Sequence, residues 1–231
     1  MLDLTETQRA FRDHVVRYAA TEIEPHARVW DEQERFPEPV IGALGELGWL
    51  GVGIDESLGG SGGGPVERCI LFEALARASC AVTLGVYVHC VLAAGALAIV
   101  AAPELARRHL RPLLAGERIG AWAYAEPEAG ADVRQARLRA RRDGDRFVLD
   151  GTKLYITNGT IADDLLVVAR TSGEPGSLRG LSVLIVDGET PGLIRSRSDL
   201  ISSSPGSKSG MSPPPNRFPM WSRSRSGARM G

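Results

Sequence analysis

Apolar residues recur at helical spacing through the first half of the chain and alternate with polar ones through much of the second. Thr5 and Gln8 have the spacing of a capping box, and Phe11, Val15 and Tyr18 follow at i, i+4 and i+7. This predicts a first helix over about residues 5–30. Pro37 or Pro39 can open a second, in which Val40, Leu44 and Leu47 repeat the spacing before Gly48 and Gly51 end it. After the glycine-rich stretch GIDESLGGSGGG, Pro65 opens a helix to about Ala78, and Pro103 opens another to about Ala115. Between them, Ala81 to Ala102 contains no Asp, Glu, Lys or Arg. That length is enough for a membrane span. The segment is mostly Ala, Gly and Val, however, is interrupted by Thr83 and His89, and lacks a flanking aromatic belt. A buried central helix wrapped by amphipathic neighbours is predicted instead, with no membrane span.

From Ile119 the period changes to two. Ala136, Leu138 and Ala140 alternate with Arg137, Arg139 and Arg141, which predicts a strand whose arginines form a solvated face rather than a polyanion site. Asp143-Gly144, Asp150-Gly151 and Asn158-Gly159 read as turns, separating the strand candidates RFVLD and KLYIT from LLVVA and LSVLIV. Short strands between tight turns predict a partial antiparallel, barrel-like sheet. The fold class is therefore α+β: an all-helical domain over residues 1–117, a partial β domain over 118–190 and a tail over 191–231.

Composition changes the picture mainly at that tail. The 231 residues carry a formal charge of -1, from 27 basic and 28 acidic side chains, which gives no global case for nucleic-acid binding. From Pro191 onward, however, six Arg and one Lys stand against one Asp, so a net +6 there leaves -7 on the first 190 residues. Those last residues are rich in Ser, Pro and Gly and have no core-forming period, so they are expected to be disordered. We read them as the out-of-frame or truncated end of a longer coding sequence, with a natural basic tail for anionic partners as the alternative. Cys69, Cys80 and Cys90 form no CxxC pair and read as buried thiols of a reducing compartment. With no secretory signal pattern in MLDLTETQRAF, a cytoplasmic location is expected.

Few residues suggest chemistry. His14, His26, His89 and His109 have no metal-ligand spacing; His14 and His109 are expected at the surface, and His89 in the core with a hydrogen-bond partner. GGSGGG at 59–64 lacks both a preceding strand and the Lys-Ser/Thr of a phosphate loop. Two segments stand apart. In WAYAEPEAGAD, from Trp122 to Asp132, Pro127 and Gly130 form a tight loop whose backbone N–H groups can hold phosphate or a heterocycle edge. In KLYITNG, from Lys153 to Gly159, Tyr155 offers an aromatic plane with the Thr157 hydroxyl beside it. On the residues alone, two ordinary strand–loop junctions are the favoured reading.

At these segments the chain resembles the acyl-CoA dehydrogenase family. AEPEAGAD is similar to that family's T-E-P-x-A-G-S-D signature, and GTKLYITNG to its G-x-K-x-W/Y-I-T-N-G segment. LTETQRAFRDHVVRYAATEIEP resembles its opening helix and GWLGVGIDESLGGSGGG its G-x-x-G-I-P-E-x-x-G-G loop, so the likeness covers roughly residues 2–192 in family order. The resemblance implies a helical domain, a middle β domain and a C-terminal helical bundle. It also implies FAD as cofactor, an acyl-CoA substrate, hydride transfer from the substrate's β carbon to the flavin, an electron-transfer flavoprotein as acceptor and a homo-oligomer. Carried residue by residue, it puts main-chain contacts to the flavin ring at Tyr124 and Ala125, and the pyrophosphate and acyl-CoA beside Gly130 and Ala131. It sets Tyr155, Ile156 and Thr157 against the flavin, with a hydrogen bond from Thr157 towards the ring.

Two departures and one gap qualify this. Ala125 stands where the family pattern has Thr, and Ala131 where it has Ser, so each position loses a hydroxyl. The C-terminal bundle, which in the family supplies the catalytic carboxylate, has no counterpart in the sequence, and Glu126 belongs to the flavin-loop signature rather than to catalysis. The expectation is a dehydrogenase by descent that is inactive as this single chain. A non-catalytic flavin or acyl-CoA binding subunit, pairing with a complete paralogue, is the alternative. A structural protein that has lost its ligand is a third reading.

Overall fold

The computed structural model describes residues 3–196 and Ala228–Arg229. These divide into a helical unit, made of the chain up to Trp122 together with Ala162–Asp164, and a sheet unit, made of Ala123–Ile161 and the chain from Leu165.

The helical unit begins as its capping residues dictate. Thr5 accepts from the Gln8 backbone N–H while the Gln8 side chain accepts from the Thr5 N–H, opening α1, Glu6–Tyr18. A π-helical stretch, Ala19–Ile23, carries the chain into α2, Glu24–Glu32. The predicted stripe packs as expected: Val15 is buried, while Phe11 and Tyr18 meet the ring of Trp49 edge-on at 6.0 and 5.2 Å. Pro39 starts α3, Pro39–Glu46, and Pro65 starts α4, Pro65–Ala78. Three-residue 3-10 turns, Trp49–Gly51 and Glu56–Leu58, frame the glycine-rich loop.

The apolar segment is one run of helix: α5, Cys80–Tyr87, then a π-helical Val88–Ala94, then α6, Gly95–Val100. By length and composition it could cross a membrane, and more than half of it is buried inside the protein. Val82, Val86, His89, Ala93 and Leu97 make its buried stripe. The His89 side chain is fully buried; its Nε2 donates to Leu113 O at 3.0 Å and its Nδ1 accepts from Gly120 N at 3.0 Å, which fixes a neutral ring with the proton on Nε2. Burial pushes its pKa down to about 4, although the bond to Leu113 pulls the other way. The unit continues through α7, Pro103–Leu105, a π-helical Ala106–Leu110 and α8, Arg111–Leu114.

Two expectations fail here. His109 is not a surface residue: its Nδ1 lies 3.1 Å from Asp164, which is buried and also takes two bonds from Arg118. A buried carboxylate requires such donors. Burial raises the Asp164 pKa, but the bonds from His109 and Arg118 outweigh it and hold the carboxyl below its usual range. Cys69 and Cys80 are exposed, because Cys80 sits in the first turn of α5 and Cys69 on the outer face of α4; only Cys90 is buried.

Strand β1, Gly120–Ala123, leads out of the helices. In the sheet unit β2, Arg139–Asp143, and β3, Arg146–Asp150, form an antiparallel hairpin in which Asp143 pairs with Arg146 and Ala140 with Leu149. Gly144, at φ 65°, makes its two-residue turn. Arg137, Arg139 and Arg141 are exposed, as the alternation predicts. Strand β4, Asp164–Arg170, is buried at all seven positions and carries β5, Leu181–Asp187, beside it. Ala228–Arg229, β6, adds two residues against β3.

The sheet is mixed rather than antiparallel throughout, since β2 runs parallel to β4 at Arg139↔Arg170, and its strand path is open rather than closed into a barrel. A hairpin connection would have set β4 beside β3; the long 151–163 loop instead returns the chain to the far side of β2. Most of the tail expected to be disordered lies outside the described residues.

Candidate cofactor-binding site

The two singled-out segments form loops of the sheet unit, and the structure joins them. Leu154 N donates to Ala125 O at 2.9 Å, and the Lys153 ammonium donates to Tyr124 O at 2.9 Å. Tyr124 OH reaches Ala131 O at 3.4 Å, closing the first loop on itself. Glu126 and Ala129 exchange backbone hydrogen bonds across the tight Pro127-Glu128 turn.

The strand expected over KLYIT does not form. Its register is broken because Leu154 bonds to the first loop and Tyr155 adopts a left-handed backbone at φ 55°. Asn158, at φ 63°, and the Gly159 N bond to Ile156 O then make the predicted turn. Similarly, β2 starts at Arg139 rather than Ala136, because the N–H groups of Arg137 and Leu138 are drawn to the Glu126 carboxylate at 2.6 and 3.1 Å.

The predicted site residues fall as follows. Tyr124, Ala125, Ile156 and Thr157 are half-buried, while Gly130 and Ala131 are exposed. Tyr155 is 60% exposed, with its ring outward. Among the described residues the backbone N–H groups of Ala125, Ile156 and Thr157 donate to no protein acceptor. Nothing lies within 4 Å of where a Cβ on Gly130 would sit. Such donors on two tied loops, with an exposed aromatic ring on the second, suit a flat ligand rich in edge acceptors, which is the chemistry of a flavin ring.

Beneath these loops lies an ion pair that the sequence did not reveal as such. Lys153 Nζ is 2.8 Å from Glu126 Oε1, and both side chains are buried. Burial pushes the Lys153 pKa down against the opposing pull of Glu126. Glu126 in the first motif and Lys153 at the start of the second were both visible in the sequence, but their contact was not. Among the described residues no group of three or more His, Cys, Asp or Glu could hold a metal.

Residues 5–117 match the family described as acyl-CoA dehydrogenase, N-terminal domain, and residues 121–207 match acyl-CoA dehydrogenase, middle domain. The chain is 35% identical over 190 residues to the mitochondrial isobutyryl-CoA dehydrogenase of Dictyostelium discoideum, covering 82% of this chain and 45% of that protein. A probable acyl-CoA dehydrogenase from Mycobacterium abscessus superposes with a TM-score of 0.79 at 34% identity, over 84% of this chain and 51% of that one. A glutaryl-CoA dehydrogenase from Mycobacterium smegmatis in complex with FADH2 does so with a TM-score of 0.75 at 29% identity, over 82% and 47%. The chain spans about half the length of the curated relatives it matches.

Proposed function

The chain belongs to the acyl-CoA dehydrogenase family, and from that premise we propose that it carries the FAD-facing part of an enzyme that dehydrogenates an acyl-CoA thioester between its α and β carbons. The observation behind this reading is that, among the described residues, the N–H groups of Ala125, Ile156 and Thr157 have no protein acceptor and stand on the loops that carry the exposed Tyr155 ring. Bound FAD would supply the acceptor for the hydride leaving the β carbon. The chain's own part is to hold and polarise it. Main-chain donors at Tyr124, Ala125 and Ile156, with the N–H and hydroxyl of Thr157, favour negative charge on the reduced ring. Gly130 and Ala131 leave open, solvent-facing backbone for the pyrophosphate. The two hydroxyls lost at Ala125 and Ala131 each weaken binding by about 1 kcal/mol, which main-chain contacts offset.

The same reading makes this single chain inactive. Glu126 spends its carboxylate on Lys153, Arg137 and Leu138, and Asp132 is held by Arg134 at 2.7 Å, so these two carboxylates of the first loop are committed to protein partners. Turnover would require a carboxylate from a complete paralogue or a further segment, with an electron-transfer flavoprotein taking the electrons. The test is to purify the chain, record flavin absorbance and add an acyl-CoA without oxygen. Bound flavin that stays oxidised is the expected result. Bleaching of its visible band would overturn the inactive reading, and a chain that binds no FAD would overturn the flavin reading.

A further inference from the structure

Lys153 and Glu126 are 27 residues apart in sequence, and both side chains are sealed from solvent. Lys153 gives one ammonium hydrogen to Glu126 Oε1 at 2.8 Å and another to Tyr124 O at 2.9 Å. Glu126 takes the N–H of Arg137 at 2.6 Å and of Leu138 at 3.1 Å. The pair therefore grips main-chain groups on three segments: the first loop, the lead-in to β2 and, through its own backbone, the second loop. A further polar tie between the two loops is the Leu154–Ala125 bond at 2.9 Å.

An ion pair in such a place is a poor way to gain stability. Apolar residues of similar volume would avoid the cost of stripping water from two charges. What they could not do is fix the direction of backbone groups at Tyr124, Arg137 and Leu138 at once. We infer that Glu126 and Lys153 are positioning residues for FAD, an internal clasp that sets the ring-facing donors of Ala125 against those of Ile156 and Thr157. This rests on the flavin reading above. Neither side chain touches the ligand; each acts through the backbone it holds.

The test uses Glu126→Gln/Lys153→Met, which leaves no unpaired charge inside and keeps an amide oxygen for the Arg137 and Leu138 N–H groups, but cuts the tie to Tyr124 O. Two measurements compare it with the parent chain: amide hydrogen exchange without ligand, and titration with free FAD followed by its visible absorption. The clasp predicts that the Leu154 amide exchanges at least about tenfold faster while the amides of Leu166–Val168 in β4 keep their protection. It also predicts that the FAD dissociation constant rises roughly tenfold and that the bound ring's visible band moves towards that of free FAD. Faster exchange at Leu154 with unchanged FAD affinity would reduce the pair to a structural tie and overturn the inference. Unchanged exchange would do the same. Loss of β4 protection as well would assign the pair to the general core of the sheet and also overturn it. Failure of the parent chain to bind FAD is a separate result: it removes the flavin reading, and this inference with it.

Discussion

His89 shows how much a single buried ring can decide. It answers the carbonyl of Leu113 and the N–H of Gly120, tying the last helix of the unit to the start of β1. His89→Ala should lower stability by about 2–4 kcal/mol in urea unfolding, combining a cavity with two lost hydrogen bonds. The ring also ties stability to pH. Its folded pKa, about 4, lies below the ordinary value of 6.5, so the unfolded state binds the extra proton between those values. Its contribution is complete above about pH 6.5 and is lost as pH falls towards 4, at most about 3 kcal/mol. Asp164, held below its usual range, also loses its contribution on acidification. Unfolding free energies measured across this window should therefore fall with pH in the parent chain and fall less in His89→Gln. Equal slopes would remove His89 from the account.

At the scale of elements, two glycines on α3 make opposite predictions from the same substitution. Nothing stands within 4 Å of a Cβ added at Gly42, so Gly42→Ala should raise stability by roughly 0.5–1 kcal/mol through helix propensity. A Cβ on Gly45 would meet the Ala115 carbonyl O at 2.3 Å, so Gly45→Ala should lower stability by roughly 1–3 kcal/mol despite the same gain. Thermal unfolding of the two variants checks both. The elements themselves were unevenly legible. Helix α1 could be read because its cap and stripe are local, and β4 because its five central residues, 165–169, leave a plain apolar run. KLYIT misled because its strand-forming residues are overruled by one long-range bond and a left-handed tyrosine. The parallel pairing of β2 and β4 was hidden for a related reason, since no spacing within a strand specifies which edge its neighbour takes. Of the site, resemblance supplied the candidate residues, while the buried pair stayed hidden, because Glu and Lys normally mark a surface.

For the molecule as a whole, ligand linkage gives the plainest check. At FAD concentrations about 100 times its dissociation constant, unfolding of the chain should shift by about 2.7 kcal/mol, and an equal concentration of AMP should not reproduce the shift. The outward Tyr155 sets a limit on what selection can do with such a chain. An aromatic residue in a left-handed backbone costs about 1 kcal/mol in the unliganded protein. Tyr155→Asn should therefore raise unliganded stability by up to about 1 kcal/mol while weakening FAD binding, a pair of effects visible in parallel melting and titration curves. A library screened for heat resistance alone would drift towards such replacements and lose the ring. The tyrosine would persist only where holding the ligand, not staying folded, governs survival.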